Sequence, residues 1–281
     1  MLPMQPTPRL NDPQLEAALE HDGYAVIDGL LSPPEIRRLL DAFETYESPI
    51  HRRPFGASIQ SDDLEYRAAV DREIKAVLGP KTDTLFNGYR LCFSNILSKA
   101  PQATGAPTGA GEVLLHQDIS VVDESRAQAI AVWCPLVDTD LVNGCLQVVP
   151  GSHRLNAGPH GPGAAFPYRE LAPLFPMQAV PMKAGSAMIF CLKLFHASSP
   201  NRGTATRVAV GGLFAPRGVP LRCYYRVPGT NRMEVFEVDD LFYTRYIYGT
   251  RPQGVPRVAE IDYWYEPLTP ERIARLANAR T

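Results

Sequence analysis

The chain has 281 residues, 45% hydrophobic and 21% charged, with a formal net charge of −2. This ordinary globular composition lacks the concentrated Lys and Arg that phosphate binding needs, and its apolar runs fall short of the roughly 18 residues that span a bilayer. Nucleic-acid and membrane-spanning roles are therefore excluded at this level. Five widely spaced cysteines without a C-x-x-C pair, Cys92, Cys134, Cys145, Cys191 and Cys223, read as reduced core thiols of a cytoplasmic protein. The first residues lack the charged and apolar regions of a secretory signal. Nothing in the sequence sets the oligomeric state.

Residues 1–11 read as a frayed leader. Asn11 can cap a helix that has Pro13 in its first turn and stops at Gly23. Tyr24 to Asp28 reads as a short strand, and Ser32-Pro-Pro-Glu35 is a capping box before the helical stripe Ile36, Leu39, Leu40 and Phe43. The polar section 44–82 holds one good helical candidate, Leu64 to Leu78. From Leu85 onward short apolar runs alternate with turn residues. Strands are expected near 89–98, 112–119, 127–136, 145–149, 179–183, 186–191, 205–214, 221–226 and 233–237. Such a series, punctuated by 27 prolines and 21 glycines, predicts a sandwich or barrel. Asn143-Gly144 is a hairpin-type signal, so the runs on either side of it should pair or neighbour each other. Ala100 to Gly111 reads as a flexible loop, 151–178 as a lid-like Gly/Pro-rich insertion, and Thr269 to Asn278 as a capped helix. The whole chain, 1–281, reads as one domain.

The chemistry concentrates in His116-Gln117-Asp118. In an extended segment residues i and i+2 point to one side, so His116 and Asp118 can converge on one point. One carboxylate and two imidazoles form the set that holds iron(II) on one face and leaves the opposite positions open. His196, delivered by an apolar strand to a polar loop, can supply the second imidazole. His153 and His160 are its competitors. Arg207 opens a further strand and shares a face with Ala209 and Gly211, where an inward guanidinium needs an anion. A protein carboxylate would make it an ordinary salt bridge; a ligand carboxylate would make it part of a site.

The series His-Gln-Asp at 116–118, Trp133-x-Pro-Leu, Asn143-Gly-Cys-Leu-x-Val-x-Pro-Gly-Ser-His153, Gly185-Ser186, His196-x-Ser198 and Arg207 eleven residues beyond His196 resembles the phytanoyl-CoA dioxygenase family. Those proteins are iron(II)/2-oxoglutarate oxygenases. The opening Asp22-Gly-Tyr-Ala-Val-Ile27 is similar to the family's N-terminus, and the resemblance covers roughly residues 15–215. It implies a mainly β fold, a double-stranded β-helix (a cupin-like jelly roll) with N- and C-terminal helices packed outside. It implies iron(II) held by His116, Asp118 and His196, with O2 as co-reactant. It further implies 2-oxoglutarate gripped by Arg207 with help from Ser198, and Gln117, Trp133 and Asn95 lining the pocket. The Pro-Gly-Ser-His histidine is not a ligand in the family, which sets His153 aside. Related halogenases carry a small residue where Asp118 stands, so hydroxylation of a small molecule is the implied outcome, with desaturation, epoxidation or rearrangement open to the same centre. The rival readings are a non-catalytic jelly-roll binding protein and a cupin-type metalloenzyme that does not use 2-oxoglutarate.

Overall fold

The computed structural model describes residues 7–156, 158–162 and 164–278. Three helices open the chain: α1 (Pro13–Asp22), α2 (Pro33–Thr45) and α3 (Leu64–Leu78). Strands β1 (Tyr24–Ile27) and β2 (Gly56–Ala57) lie between them, and a one-turn helix α4 (Thr82–Leu85) follows. The β region then runs through β3 (Tyr89–Lys99), β4 (Val113–His116), β5 (Ile130–Pro135), β6 (Leu146–Val148), β7 (Gln178–Val180), β8 (Ala187–Cys191), β9 (His196–Ser198) and β10 (Arg207–Pro216). Beyond it come β11 (Leu221–Arg226), β12 (Arg232–Val238), a short helix α5 (Phe242–Arg245), β13 (Arg257–Asp262) and the C-terminal helix α6 (Pro270–Asn278).

Two antiparallel sheets face each other as a double-stranded β-helix. The major sheet has the order β1-β8-β5-β10-β3-β2 and the minor sheet β4-β9-β6-β7. Alternation along each strand decides what fills the two faces. Phe93, Trp133, Met188 and Ala209 point inward and meet Leu146, Val148 and Val180 of the minor sheet. Their neighbours Ile96, Val132, Ile189 and Val210 point outward, onto Leu19, Leu39, Val70 and Ile74 of the helices. Each such fully buried side chain contributes about 1.5–3 kcal/mol. Helix α3 is capped by Asp63, whose carboxylate accepts from the Tyr66 amide. It is fixed to β3 by Asp71, which accepts from both the Ser94 amide (2.7 Å) and its hydroxyl (2.9 Å). That attachment holds the part of β3 that carries Asn95. The third sheet, β11-β12-β13, lies beyond the jelly roll in the sequence.

Several expectations change. Residues 9–11 are pinned, not frayed. Leu10 is buried and bridges to Phe86, and Arg9 binds Glu16 and Glu20. Residues 1–6 of the expected leader lie outside the described residues. The cap of α1 is Asp12, which accepts from the amides of Gln14 and Leu15. Asn11 instead donates to the carbonyls of Asp83 and Thr84. The runs flanking Asn143-Gly144 do not pair: β5 belongs to the major sheet and β6 to the minor one. The turn there is a crossing between sheets; Gly144 has φ +83°, and a Cβ there would strike the Ser199 carbonyl. Strands β2, β9 and β13 were not anticipated, the first two being only two and three residues long.

The described part of segment 151–178 packs on the outer side of the minor sheet. Its Leu155, Phe166, Tyr168 and Phe175 pack around Phe195 and against Ile273 of α6. They form a cluster of their own with Leu115 and Ala197 of the minor sheet. Aromatic side chains gain more by covering that sheet than by standing over a water-filled mouth.

Candidate active site

Strands β4 and β9 pair so that His116 lies directly opposite His196. Their rings sit 4.2 Å apart, centroid to centroid. Each Nδ1 lies within hydrogen-bond reach of a carbonyl two residues earlier, Leu114 O at 2.8 Å and Leu194 O at 2.9 Å. A carbonyl can only accept, so each Nδ1 carries the proton and each Nε2 presents a lone pair. Both Nε2 atoms are 3.8 Å from the same oxygen, Asp118 Oδ1. Strand β4 ends at His116, and Asp118 is held just past it by its amide, which donates to Leu192 O at 2.9 Å. The donor atoms of all three residues lie within 4.8 Å of one another. Burial and the neighbouring His196 push the His116 imidazole down to about 3, and burial pushes the Asp118 carboxyl up. The two shifts share their largest cause: the cavity walls enclose both groups, which disfavours their charged forms, and neutral imidazole is the ligating form.

These three residues line a cavity of about 270 Å³ between the sheets. Arg207, Ser198, Trp133, Gln117 and Asn95 line the same cavity. The structure therefore brings together every residue singled out for the site. The competitors fall elsewhere. His153 hydrogen-bonds to the Glu20 carbonyl, and the backbone of His160 pairs with Ser120. Neither lines the cavity.

The polar groups of the wall are unevenly satisfied. Arg207 is 2% exposed, and its Nε and Nη1 have no partner. Its guanidinium carbon stands 5.4 Å from the centre of the Trp133 ring. Burial lowers its pKa to about 10, which leaves it charged at neutral pH. Gln117 accepts from Asn156 Nδ2 through its Oε1 (3.1 Å), and its own Nε2 is left unpartnered. Asn95 Oδ1 is likewise unpartnered. Asn95 can lie over β10 because residue 211 is glycine: a Cβ there would come within 2.7 Å of that oxygen.

Two supporting residues escaped the sequence reading. Lys99, fully buried, donates to the carbonyls of Gly111 (2.8 Å), Ser198 (3.0 Å) and Ser199 (2.5 Å). It thus ties the 100–111 loop to the end of β9. Burial and the nearby Arg207 bring its ammonium down to about 7. The alternation Asn95, Leu97, Lys99 placed it on the inner face and was a readable signal. Tyr248, in the turn after α5, also lines the cavity, and burial together with the Asp118 charge raises its phenol. Nothing in its Gly- and Thr-containing surroundings marked it.

The unmatched groups are suited to a small dianion beside a cation. Idle N–H donors and a buried guanidinium call for carboxylate oxygens, and two imidazole lone pairs with one carboxylate call for a divalent metal such as iron(II). A jelly roll carrying this set has the make-up of a non-haem iron oxygenase.

Comparison with known proteins gives the same class. The family model for phytanoyl-CoA dioxygenase (PhyH) matches residues 19–209. Peroxisomal phytanoyl-CoA dioxygenase of Bos taurus is 25% identical over 256 residues, spanning 81% of this chain and 74% of its own length. The Arabidopsis thaliana phytanoyl-CoA dioxygenase is 32% identical over 114 residues, 37% of this chain and only 38% of its own length. Among solved structures, the epimerase SnoN in complex with Fe3+, alpha-ketoglutarate and nogalamycin RO shares the fold at a TM-score of 0.55 and 19% identity, over 92% of this chain and 96% of its own. AviO1 from Streptomyces viridochromogenes Tue57 does so at 0.52 and 20%, over 76% and 99%. The chain belongs to the phytanoyl-CoA dioxygenase family, and with it to the iron(II)- and 2-oxoglutarate-dependent oxygenases. Among the described residues no helix is long and apolar enough to cross a membrane.

Proposed function

We propose that this enzyme hydroxylates a small molecule, with His116, Asp118 and His196 holding iron(II) and Arg207 binding the far carboxylate of 2-oxoglutarate. The observation that carries this reading is Arg207: a buried, charged guanidinium with two idle N–H groups in the same cavity as the metal-ligating set. Among the described residues no protein carboxylate pairs with it. A protein carboxylate on Arg207 would have counted against 2-oxoglutarate and for the cupin-type rival; the idle donors support the cosubstrate reading.

Iron(II), when bound, couples decarboxylation of 2-oxoglutarate to activation of O2. The chain supplies the rest. The carbonyls of Leu114 and Leu194 fix both imidazoles in the tautomer that offers Nε2, so no rearrangement is needed on metal binding. The planar fork of Arg207 sets the direction of the cosubstrate, and the Trp133 face limits how far the guanidinium can swing. The Ser198 hydroxyl and the idle Nε2 of Gln117 offer further donors along the same wall, and Asn95 Oδ1 an acceptor for a hydroxyl or N–H. Apolar neighbours such as Phe190, edge-on to His196 with ring centres 5.1 Å apart, keep water from the ligands. All five cysteines are free and buried, which fits the reducing cytoplasm as the place of action. The chain serves as a single oxygenase domain in this reading.

The test is succinate release from 2-oxoglutarate under air with added iron(II). The wild type should release succinate and His196→Ala should not. Full turnover in His196→Ala would overturn the assignment, and absence of turnover in the wild type with every substrate tried would favour the non-catalytic rival.

A further inference from the structure

The cavity has a second character beyond the metal and cosubstrate groups. Phe55, Ile59, Phe93, Ile119, Leu213 and Tyr248 also line it. Phe55 and Ile59 flank β2, an edge of the major sheet, and Val113 of the minor sheet's edge strand β4 lines the cavity as well. The ionisable lining residues are His116, Asp118, His196, Arg207 and Tyr248. Four of these five are committed once iron and 2-oxoglutarate are in place. The wall left for a third molecule then has no cation and no carboxylate, and three aromatic rings, one of them the Tyr248 phenol.

Burying an ion against such a wall carries a large desolvation penalty with no partner to offset it. Flat apolar rings, by contrast, stack on Phe and Tyr faces. We propose that the part of the substrate entering this cavity is an uncharged, ring-bearing hydrophobic group, oriented by the hydroxyl of Tyr248. This rests on the reading that iron and 2-oxoglutarate occupy the other groups.

Tyr248 is built for such a role. It is 48% exposed, on a turn that lies outside the family-matched residues 19–209. Arg67 of α3, itself buried, holds that turn by donating through Nη2 to the carbonyls of Tyr243 (2.7 Å) and Tyr246 (2.8 Å). The Thr250 amide closes the turn on Ile247 O at 3.1 Å. Selectivity is thereby carried partly by chain beyond the matched region. Arg52 and Arg53 are exposed beside Phe55 and do not line the cavity, so a ligand whose charge trails into solvent would meet them outside.

The experiment is a calorimetric titration, under nitrogen, of the iron(II)- and 2-oxoglutarate-loaded enzyme. Three probes share one ring system and differ in charge: 2-naphthol, 2-naphthoate and trimethyl(2-naphthyl)ammonium. Octanoyl-CoA is the fourth. We expect 2-naphthol to bind without displacing 2-oxoglutarate, at least tenfold tighter than either charged naphthalene and tighter than octanoyl-CoA. Tyr248→Phe should weaken 2-naphthol about threefold or more without lowering the melting temperature. Equal or tighter binding of any charged probe, displacement of 2-oxoglutarate by 2-naphthol, or no binding of 2-naphthol would each overturn the proposal. Failure of 2-oxoglutarate itself to bind in the loading step would instead count against the proposed function.

Discussion

Arg9 and Arg207 are both buried guanidinium groups, and their surroundings are opposite. Around Arg9, Nε donates to Glu16 at 2.9 Å, Nη2 to Glu20 at 2.6 Å and Nη1 to Gln128 at 2.6 Å. Around Arg207 two N–H groups have no partner. The first region is a finished network that anchors residues 9–11 to α1. The second is a cation the fold has desolvated without neutralising, a state that lowers stability unless a ligand completes it. Burial alone therefore does not separate a structural arginine such as Arg9 from one proposed to bind a ligand; the two differ in the state of their donors.

The largest effect that bears on this contrast is expected from Arg207→Met. Losing one partner of a buried charge pair costs about 2–5 kcal/mol of binding, so 2-oxoglutarate turnover at subsaturating cosubstrate should fall about 30-fold or more. Without ligand, the variant's thermal midpoint should be equal to or above that of the wild type, because an unpaired buried charge is gone. Arg9→Met should do the reverse. It should lose about 1–3 kcal/mol of stability in denaturant titration and leave the KM for 2-oxoglutarate unchanged. If both variants behave alike in both assays, the contrast is broken.

Smaller effects sharpen it. Gly211→Ala places a methyl group within 2.7 Å of Asn95 Oδ1. The displaced amide should raise the KM for 2-oxoglutarate by roughly tenfold, about 1–2 kcal/mol, a smaller change than loss of the guanidinium itself. Lys99 gives a pH effect. Its native pKa is lowered to about 7, below its ordinary value near 10.4. Between those values the unfolded chain holds the proton and the native one has released it. The unfolded state binds more protons, so this group makes stability rise with pH across that window, by up to about 1.4 kcal/mol per pH unit. Thermal midpoints from pH 7 to 9 should therefore climb more steeply in the wild type than in Lys99→Met.

Much of this was legible in the sequence. Helix α3 runs from Leu64 to Leu78 as its pattern indicates, bounded by Asp63 and Gly79. The long strands β3 and β10 also fall where alternation places them. His116 and Asp118 could be singled out because their i, i+2 spacing in an extended segment puts both on one face, and Arg207 because it shares a strand face with Ala209 and Gly211; His196 was joined to them by the ordered motif series that resembles the family. Their shared cavity depends on a register, His116 opposite His196, between strands whose nearest ends are eighty residues apart in number, and no local pattern sets that. In segment 151–178 Gly and Pro report turns and say nothing about which surface the intervening aromatics will cover. Tyr248 was invisible for a related reason: a turn residue reaches a site only through the tertiary path of its loop, here fixed by Arg67.

The most direct measurement pairs a change in residue with a change in ligand. Binding of 2-oxoglutarate and of 2-oxovalerate, which has a methyl group in place of the far carboxylate, would be measured under nitrogen to the iron(II)-loaded wild type and to Arg207→Met. The wild type should prefer 2-oxoglutarate by about 100-fold and Arg207→Met should show almost no preference, since the lost energy belongs to one charge pair. An undiminished preference in Arg207→Met would contradict the assignment of Arg207 to the cosubstrate.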